Sequence, residues 1–191
     1  MIRGEKVVLR ARNIEDAALN YAWRQDEELS RLDAAAPLRM TFEEFLRLFA
    51  AELEDTNQRR QRFAIETLDG VVIGNCTYYD IDRPRRQCEL GIVIGDKAYW
   101  GKGYGEDAVR TLLRHIFEAT DIERVYLYTL DWNVRAQRSF RKAGFVEIGR
   151  AKDGRYSFIN MEIRRRDWEK RVMSESEGAR GQGSGVGDRG R

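Results

Sequence analysis

Residues that commonly bind metals or form disulfides are scarce in this chain. Its 191 residues include one histidine and two cysteines. Cys76 and Cys88 fall on successive predicted strands without the close spacing of metal ligands, and we interpret both as buried small apolar residues. His115 lies among apolar residues of a predicted helix with no obvious partner, so we expect it to fill the boundary of the core. The sequence therefore predicts neither a metal site nor a structural disulfide.

Long apolar runs and an excess of one charge are missing as well. The chain carries 34 basic and 32 acidic residues, which leaves a formal net charge of +2. This balance argues against electrostatic binding of nucleic acid, and no apolar run approaches the roughly twenty residues that span a bilayer. The first residues lead directly into a predicted strand and do not resemble a signal peptide. We therefore expect a cytoplasmic protein that binds neither nucleic acid nor a membrane.

The hydrophobic periodicity predicts one domain of strands and helices. The predicted strands span residues 6–12, 62–68, 71–79, 87–95, 124–130, 145–151 and 156–163, and the predicted helices span residues 14–22, 41–55, 103–120 and 133–143. The strand–helix–strand order across residues 89–130 implies a right-handed crossover and a parallel pair of strands. We expect residues 1–173 to form the domain and the glycine-rich residues 174–191 to be a disordered tail.

Apolar residues at helical spacing mark one side of each of the first two predicted helices. In the first helix they are Ile14, Ala17, Ala18, Tyr21 and Ala22. Thr41 and Glu44 form a capping box at the start of the second. The apolar residues of this second helix, which we expect to be buried, are Phe42, Phe45, Leu46, Phe49 and Leu53.

Glycines follow a predicted buried strand and open a long helix within residues 89–106. Gly101, Gly103 and Gly105 remove the Cβ atoms that would keep a ligand away from the backbone, and the free amides of the first helical turn favour anions. The pattern predicts a phosphate cradle, although a tight strand-to-helix turn alone would also need glycine. A Walker A loop would require glycine where Asp96 stands, and the dinucleotide fingerprint would require glycine at Glu106.

Two segments resemble signatures of the GNAT superfamily of N-acetyltransferases. Residues 100–105, Trp-Gly-Lys-Gly-Tyr-Gly, resemble the acyl-CoA loop Arg/Gln-x-x-Gly-x-Gly/Ala, with Trp100 at the Arg/Gln place. With an aromatic residue at this place, the loop resembles that of the family branch that includes the ribosomal-protein alanine N-acetyltransferases. Residues 133–145 resemble the family pattern Asn-x-x-Ala-x-x-x-Tyr-x-Lys-x-Gly-Phe, although helical packing alone would account for Ala136 and Phe140. The two signatures in the right order identify the family.

The resemblance implies the α/β (α+β) GNAT fold, a single mixed and mostly antiparallel sheet with helices on both faces and a splayed parallel strand pair at its centre. It also implies acetyl-CoA as co-substrate and no metal. The residues expected to bind the co-substrate are Ile92, Val93, Ile94, Trp100, Gly101, Lys102, Gly103, Tyr104, Gly105, Glu106, Asn133, Ala136, Phe140 and Lys142. Asn133 is expected to reach the pantetheine arm or the sulfur.

Direct acetyl transfer to an amine needs a base, an oxyanion donor and an acid. Glu89, on the strand where the family splays, is the candidate base through one water, or else it forms an ion pair with an arginine of residues 83–86. A backbone N–H of Val93 or Ile94 would be the oxyanion donor. Phe140 stands where the family has the tyrosine thought to protonate the thiolate, and Ser139 is either its substitute or an ordinary surface serine.

The acceptor is expected to be a primary amine. The branch resemblance favours a protein or peptide N-terminus, and the alternative is a polyamine or aminoglycoside. The alternative rests on nine acidic residues against three arginines in residues 26–55, which could equally be a solvated helix surface. A non-catalytic acyl-CoA-binding module is the rival interpretation, motivated by Phe140, and a homodimer is compatible with the pattern. The acidic residues are Asp26, Glu27, Glu28, Asp33, Glu43, Glu44, Glu52, Glu54 and Asp55.

Overall fold

An eight-stranded sheet forms the centre of the protein. The computed structural model describes residues 1–181, and its strands follow the spatial order β1-β2-β3-β4-β5-β6-β8-β7. The strands are β1 (Ile2–Arg3), β2 (Val7–Ala11), β3 (Gln61–Thr67), β4 (Val72–Asp82), β5 (Gln87–Ile94), β6 (Arg124–Leu130), β7 (Val146–Asp153) and β8 (Tyr156–Arg164). The helices are α1 (Ala17–Gln25), α2 (Glu27–Leu32), α3 (Phe42–Glu54), α4 (Tyr104–Ala119), α5 (Val134–Ala143) and α6 (Arg165–Gly181).

The centre of this sheet holds one short parallel pairing. β5 pairs in parallel with β6 over three residues only. Residues Gln87–Glu89 of β5 lie opposite residues Arg124–Tyr126 of β6. Beyond Glu89, β5 remains paired with β4 as far as Ile94, and β6 remains paired with β8 as far as Leu130. The two central strands therefore separate after Glu89. The predicted mixed, mostly antiparallel sheet with a splayed parallel pair is confirmed.

Helices cover both faces of the sheet. The predicted apolar side of α4 is buried against one face and consists of Ala108, Val109, Leu112, Leu113, Ile116 and Phe117. On the opposite face, the side-chain amide of Asn75 in β4 donates to the side-chain oxygen of Asn20 in α1 at 2.6 Å. The ring of Trp23 lies against Gly95, where an added Cβ would be 2.1 Å from a ring carbon. This contact fixes α1 to the end of β5.

The first two predicted helices, which correspond to α1 and α3, bury only some of the residues predicted. In the first, Ala17 is buried as predicted, together with Asp16 and Asn20, whereas Ile14 is 47% exposed. Polar contacts explain why Asp16 and Asn20 are buried. Arg10 makes a two-pronged salt bridge to the Asp16 carboxylate, and the Asn20 side chain donates to the Asp16 carbonyl oxygen.

In α3 only Phe49 is fully buried, and Phe42 at its first turn is 41% exposed. The ring of Phe42 packs edge-on against Tyr21. α3 therefore packs on α1 through aromatic contacts more than on the sheet.

The C-terminal segment forms a helix that the sequence did not predict. α6 continues past the predicted domain boundary at residue 173 as far as Gly181. Arg110 of α4 forms an ion pair with Glu175 on this extension, which gives the polar segment a contact with the domain. The remainder of the predicted disordered tail, residues 182–191, lies outside the described residues.

The cysteines and the histidine occupy the places that we expected. Cys76 and Cys88 are buried as free thiols, and Cys76 faces Ile92 across the β4–β5 ladder. His115 is half-buried with its ring against Phe63 and Tyr78. Within residues 1–181 no helix is long and apolar enough to cross a bilayer, and no cluster of three metal-ligating side chains occurs.

Candidate functional site

A cleft of about 440 Å³ opens where β5 and β6 separate. Its walls come from both layers of the fold and from the loop before α4. They consist of Leu29, Leu32 and Asp33 on one side, Ile92, Val93, Ile94, Tyr99, Trp100, Gly101, Gly103, Gly105, Glu106 and Val109 along β5 and α4, and Asn133, Val134, Arg135, Ala136, Arg138, Ser139, Phe140 and Lys142 on α5. The splay in the sheet therefore creates the cleft.

The loop before α4 has the geometry of an anion cradle. Gly101 and Gly103 have φ angles of +71° and +86°, which other residues adopt only at a cost. Gly103 is the N-cap of α4 and offers no side chain to the first-turn amides. These amides and the positive end of the helix dipole face the cleft and are free for an anionic ligand.

Asp107 fastens the start of α4 to the N-terminal turn. Its carboxylate accepts hydrogen bonds from the backbone N–H groups of Glu5, Lys6 and Val7 at 2.8 to 3.2 Å. The ammonium of Lys6 in turn donates to the Lys102 carbonyl oxygen at 3.0 Å. These contacts hold the glycine loop from the side opposite the cleft.

Trp100 connects the loop to the strand. Its indole N–H donates to the Ile94 carbonyl oxygen at 2.7 Å. The guanidinium of Arg135 from α5 lies over the same ring, 3.4 Å from its centroid. The residue that departs from the family pattern therefore holds the loop in place and contacts the opposite wall.

Positive charge lines the α5 wall. Arg135, Arg138 and Lys142 all reach the cleft. Lys142 forms a 3.4 Å ion pair with Glu106 of α4, and its side chain is 69% exposed. Because the cradle amides and these cations face one space, the cleft suits a ligand that carries several phosphate oxygens.

The α5 residues of the second sequence signature have separate local roles. The Asn133 side chain accepts from the Ala136 N–H at 3.2 Å and caps the helix. Phe140 is 7% exposed and packs edge-on against Phe145. Ser139 is half-buried and lines the cleft. The candidate substitute for the missing tyrosine therefore lies on the wall of the cleft.

The short helix α2 closes the cleft from the other face of the sheet, and the sequence did not predict it. Leu29 and Leu32 supply apolar side chains and Asp33 a carboxylate. The ammonium of Lys97, just before the glycine loop, lies 2.8 Å from both Asp26 and Glu28. α2 is thereby connected to the loop that forms the cradle.

Most of the acidic residues in segment 26–55 have structural partners. Asp26 and Glu28 bind Lys97, and the remaining pairs and caps involve Glu43 with Arg47, Glu44 with Thr41, Glu52 with Arg12 and Arg62, and Asp55 with Arg62. Of the nine acids, only Asp33 lines the cleft. Most of the acidic residues in this segment therefore stabilise α2 and α3 rather than line the cleft.

Glu89 lies at the closed end of the splay, on the sheet face opposite α4. Its carboxylate accepts a 2.6 Å hydrogen bond from the Tyr79 hydroxyl. Burial raises the pKa of Glu89 above its usual value, and the Tyr79 bond opposes part of that rise. The alternative partner, an arginine of residues 83–86, is not used, because Arg85 contacts Asp82 and Arg86 contacts Glu123.

Glu162 is a second carboxylate on the same face, and its environment is different. Burial alone would raise the pKa of Glu162, but hydrogen bonds from Arg124 and Arg164 lower it below its usual value. A carboxylate held by two arginines is a weak base. Glu89 is therefore the better placed of the two to accept a proton near neutral pH.

Strand alternation determines which β5 amides face the open cleft. The Gly95 N–H, directly after β5, donates to the carbonyl oxygen of Ile73 in β4. Since alternate residues of a strand direct their amides to the same side, the Val93 N–H also faces β4. The N–H groups of Ile92 and Ile94 face the separated side, where an oxyanion would need them.

The cleft brings together most of the residues that the sequence singled out, but three lie outside its wall. Glu89 is at the closed end of the splay, as described above. Tyr104 packs edge-on against Tyr99 at 5.1 Å between ring centroids. Lys102 takes part through its carbonyl oxygen, which binds Lys6. Leu29, Leu32, Arg135 and Arg138 line the cleft without having been predicted.

A family model described as the acetyltransferase (GNAT) domain matches residues 6–146, which include the sheet from β2 to the first residue of β7 and both sequence signatures. The chain belongs to the GNAT acetyltransferase domain family. The predicted family is thus confirmed by a match that covers the glycine loop, the splayed strands and α5.

Similar proteins carry names of N-acetyltransferases. YdaF of Bacillus subtilis, whose name proposes a ribosomal N-acetyltransferase, is 29% identical over 107 residues, which are 53% of this chain and 58% of YdaF. The spermine/spermidine N(1)-acetyltransferase of the same organism is 29% identical over 82 residues, or 40% of this chain and 54% of that protein. Each of these two matches thus spans little more than half the length of the relative.

A solved structure establishes the fold independently. The spermidine N-acetyltransferase from Vibrio cholerae, in complex with CoA and spermine, superposes with a TM-score of 0.76 at 21% identity over 86% of this chain and 98% of that one. At this level of identity the likeness concerns the fold.

Proposed function

We propose that this protein is an N-acetyltransferase that transfers the acetyl group of acetyl-CoA directly to a primary amine. The observation that carries the proposal is the cleft at the splay, where a glycine cradle, cationic side chains and free strand amides face one space. Family membership supports the acyl donor, because the matched domain is an acetyltransferase domain. The protein supplies no covalent carrier of the acetyl group in this scheme.

The donor site follows from the chemistry of the walls. The first-turn amides of α4 and the side chains of Arg135, Arg138 and Lys142 would hold phosphate oxygens. The separated edges of β5 and β6 would receive the pantetheine arm, since their peptide groups are free there. Phe140 and Val109 provide an apolar floor beneath the thioester.

The reaction needs three contributions from this chain. Glu89 accepts a proton from the acceptor ammonium through one water, which leaves a nucleophilic amine. The amine attacks the thioester carbonyl, and the N–H groups of Ile92 and Ile94 stabilise the oxyanion that forms. When the C–S bond breaks, the thiolate takes a proton from Ser139 or from water, and the second proton that the nitrogen loses on becoming an amide passes through water to restore that donor. A thiol of pKa about 8.5 leaves readily, so Phe140 is compatible with transfer.

A peptide N-terminus is the first acceptor that we propose. The branch resemblance of the glycine loop and the similarity to YdaF support it. The sheet face that carries Glu89 also carries Tyr128, which is 46% exposed, so an extended acceptor has a surface along which to lie.

A polyamine is the second candidate, because named spermine and spermidine acetyltransferases are among the similar proteins. Asp33 in the cleft wall and Glu89 at its closed end would attract a second ammonium group. The pairing of the other acids of segment 26–55 weakens this candidate, since it leaves few free carboxylates.

A panel of amines tests the proposal. The purified full chain is incubated with acetyl-CoA and each of three acceptors: a peptide with a free N-terminus, the same peptide with a blocked N-terminus, and spermine. Free CoA and acetylated product are measured together. Release of CoA with equal formation of acetylated amine supports transfer, and the pattern across acceptors selects the class. Binding of acetyl-CoA without release of CoA for any amine would overturn it.

A further inference from the structure

Glu89 and Tyr79 form a pair across the β4–β5 ladder. The two residues are direct register partners, and both side chains lie on the face opposite α4. The Tyr79 hydroxyl donates to Glu89 Oε1 at 2.6 Å. Within residues 1–181 no other hydrogen bond to this carboxylate occurs, so its second oxygen remains for a water or an ammonium.

The backbone on both sides supports the position of the Tyr79 ring. A Cβ at Gly91 would lie 3.4 Å from a ring carbon of Tyr79 and 3.3 Å from the Thr77 methyl group, so the ring occupies the space that glycine leaves. Directly after Tyr79 the ladder becomes irregular, and Asp80 has a φ angle of +49°. A bulge of this kind redirects the side chain beside it.

The hydroxyl is a permanent donor. Burial raises the pKa of Tyr79 above its usual value, and the neighbouring Glu89 carboxylate raises it further. The phenol therefore keeps its proton throughout the range in which Glu89 titrates. A donor that never ionises holds one carboxylate oxygen in place while the other exchanges protons.

We infer that Tyr79 is a positioning residue for the proposed reaction, which fixes the Glu89 carboxylate and adjusts the pH at which it becomes a base. This inference rests on the proposed function for its role in catalysis, but the pair itself can be tested without turnover. Tyr79 is not assigned as the donor to the leaving thiolate, because its hydroxyl already donates to Glu89.

Tyr79→Phe keeps the ring on Gly91 and removes only the hydroxyl. We expect kcat/KM to fall about tenfold, because a hydrogen bond to a charged group is lost. The hydrogen bond lowers the pKa of Glu89, so its removal should raise that pKa and move the acidic limb of the kcat/KM profile to higher pH. Affinity for acetyl-CoA should be unchanged.

Tyr126→Phe is the matched control. Tyr126 is the parallel register partner of Glu89 on β6, and its hydroxyl makes no hydrogen bond to Glu89 within residues 1–181. Its removal should leave the acidic limb where it is. If the Tyr79→Phe and wild-type limbs coincide, or if both variants move the limb equally, the positioning role is wrong.

A titration of the carboxylate separates this inference from the proposed function. Glutamate-labelled protein without ligands is titrated by carbon NMR, with Glu89→Gln used to assign the signal. An upward shift of the Glu89 midpoint in Tyr79→Phe, absent in Tyr126→Phe, supports the pair even if no amine is acetylated. An unchanged midpoint in Tyr79→Phe overturns it even if acetyl transfer is found.

Discussion

Trp100 donates its indole N–H to the carbonyl oxygen of Ile94 and thereby fixes the glycine loop to the last residue of β5. The same ring supports the Arg135 guanidinium, which comes from α5 across the cleft. One side chain thus touches both walls of the site. The arginine or glutamine that the family pattern expects at this place is replaced by a residue that acts through hydrogen bonding and stacking.

Trp100→Phe should weaken acetyl-CoA binding. Phenylalanine keeps an aromatic surface for Arg135 but cannot donate to Ile94, so the loop loses its connection to β5. We expect a three- to tenfold higher Kd, which corresponds to one neutral hydrogen bond of about 1 kcal/mol. Calorimetric titration measures it. Trp168→Phe, whose ring packs on Phe117 in the core, is the control and should not change the Kd.

Gly103→Val tests the cradle against a glycine with nearly the same backbone. Gly103 and Gly70 have φ angles of +86° and +85°, and Gly70 has no atom within 4 Å of an added Cβ. Valine at either place should cost about 1 to 3 kcal/mol of unfolding free energy through backbone strain. Only Gly103→Val should also weaken acetyl-CoA binding, because an added Cβ there would lie 3.5 Å from the Lys6 ammonium, and the branched side chain would push Lys6 away from the Lys102 carbonyl oxygen and shift the glycine loop. Equal Kd values for the two variants would refute the placement of the cradle.

Ser139→Ala tests the proton donor to the leaving thiolate. If the hydroxyl supplies that proton, kcat should fall by about 100-fold, the lower end of the usual range for general acid catalysis, while the KM for acetyl-CoA stays the same. A fall smaller than twofold would mean that water protonates the thiolate and that Ser139 is an ordinary cleft residue. Steady-state kinetics at saturating acceptor distinguishes these outcomes.

The two carboxylates of the open sheet face should have opposite effects on stability. Burial raises the pKa of folded Glu89 above its unfolded value, so ionisation of Glu89 costs stability as pH rises through the folded pKa. Glu89→Gln should therefore raise the Tm at pH 7, and the gain should disappear below about pH 4, where glutamate is protonated in both states. Thermal unfolding across pH measures it.

Glu162→Gln should have the opposite effect on the Tm at pH 7. Its folded pKa is lowered by Arg124 and Arg164, so its contribution to stability is present above the unfolded pKa and is lost as pH falls through the folded one. The substitution should lower the Tm at pH 7 and have little effect in acid. If both variants changed the Tm in the same direction at pH 7, the contrast between the two environments would be wrong.

Local patterns account for what the sequence predicted correctly. The glycine loop and the two helices predicted at residues 103–120 and 133–143 depend on residues within a few turns, and the helices are found as α4 and α5. The parallel pair followed from the single crossover between β5 and β6, and its splay from the family resemblance alone.

Contacts between distant segments account for what it missed. α2 has six residues, too few to show a helical period, and Lys97 holds it through Asp26 and Glu28. The hydrogen bond between Tyr79 and Glu89 depends on the register of two strands, which is irregular between Tyr79 and Asp82, and the sequence analysis did not predict that irregularity. The burial of Asp16 reverses the usual rule because Arg10 pairs with it.

The effect of Glu89→Gln on rate and on affinity, measured in one preparation with the preferred amine, tests the central claim most directly. If Glu89 is the base at the closed end of the splay, kcat should fall about 100-fold or more, the acidic limb of the pH profile should disappear, and the Kd for acetyl-CoA should stay within twofold of wild type. Glu162→Gln should retain its rate. An unchanged kcat in Glu89→Gln, with wild-type affinity for acetyl-CoA, would contradict the account.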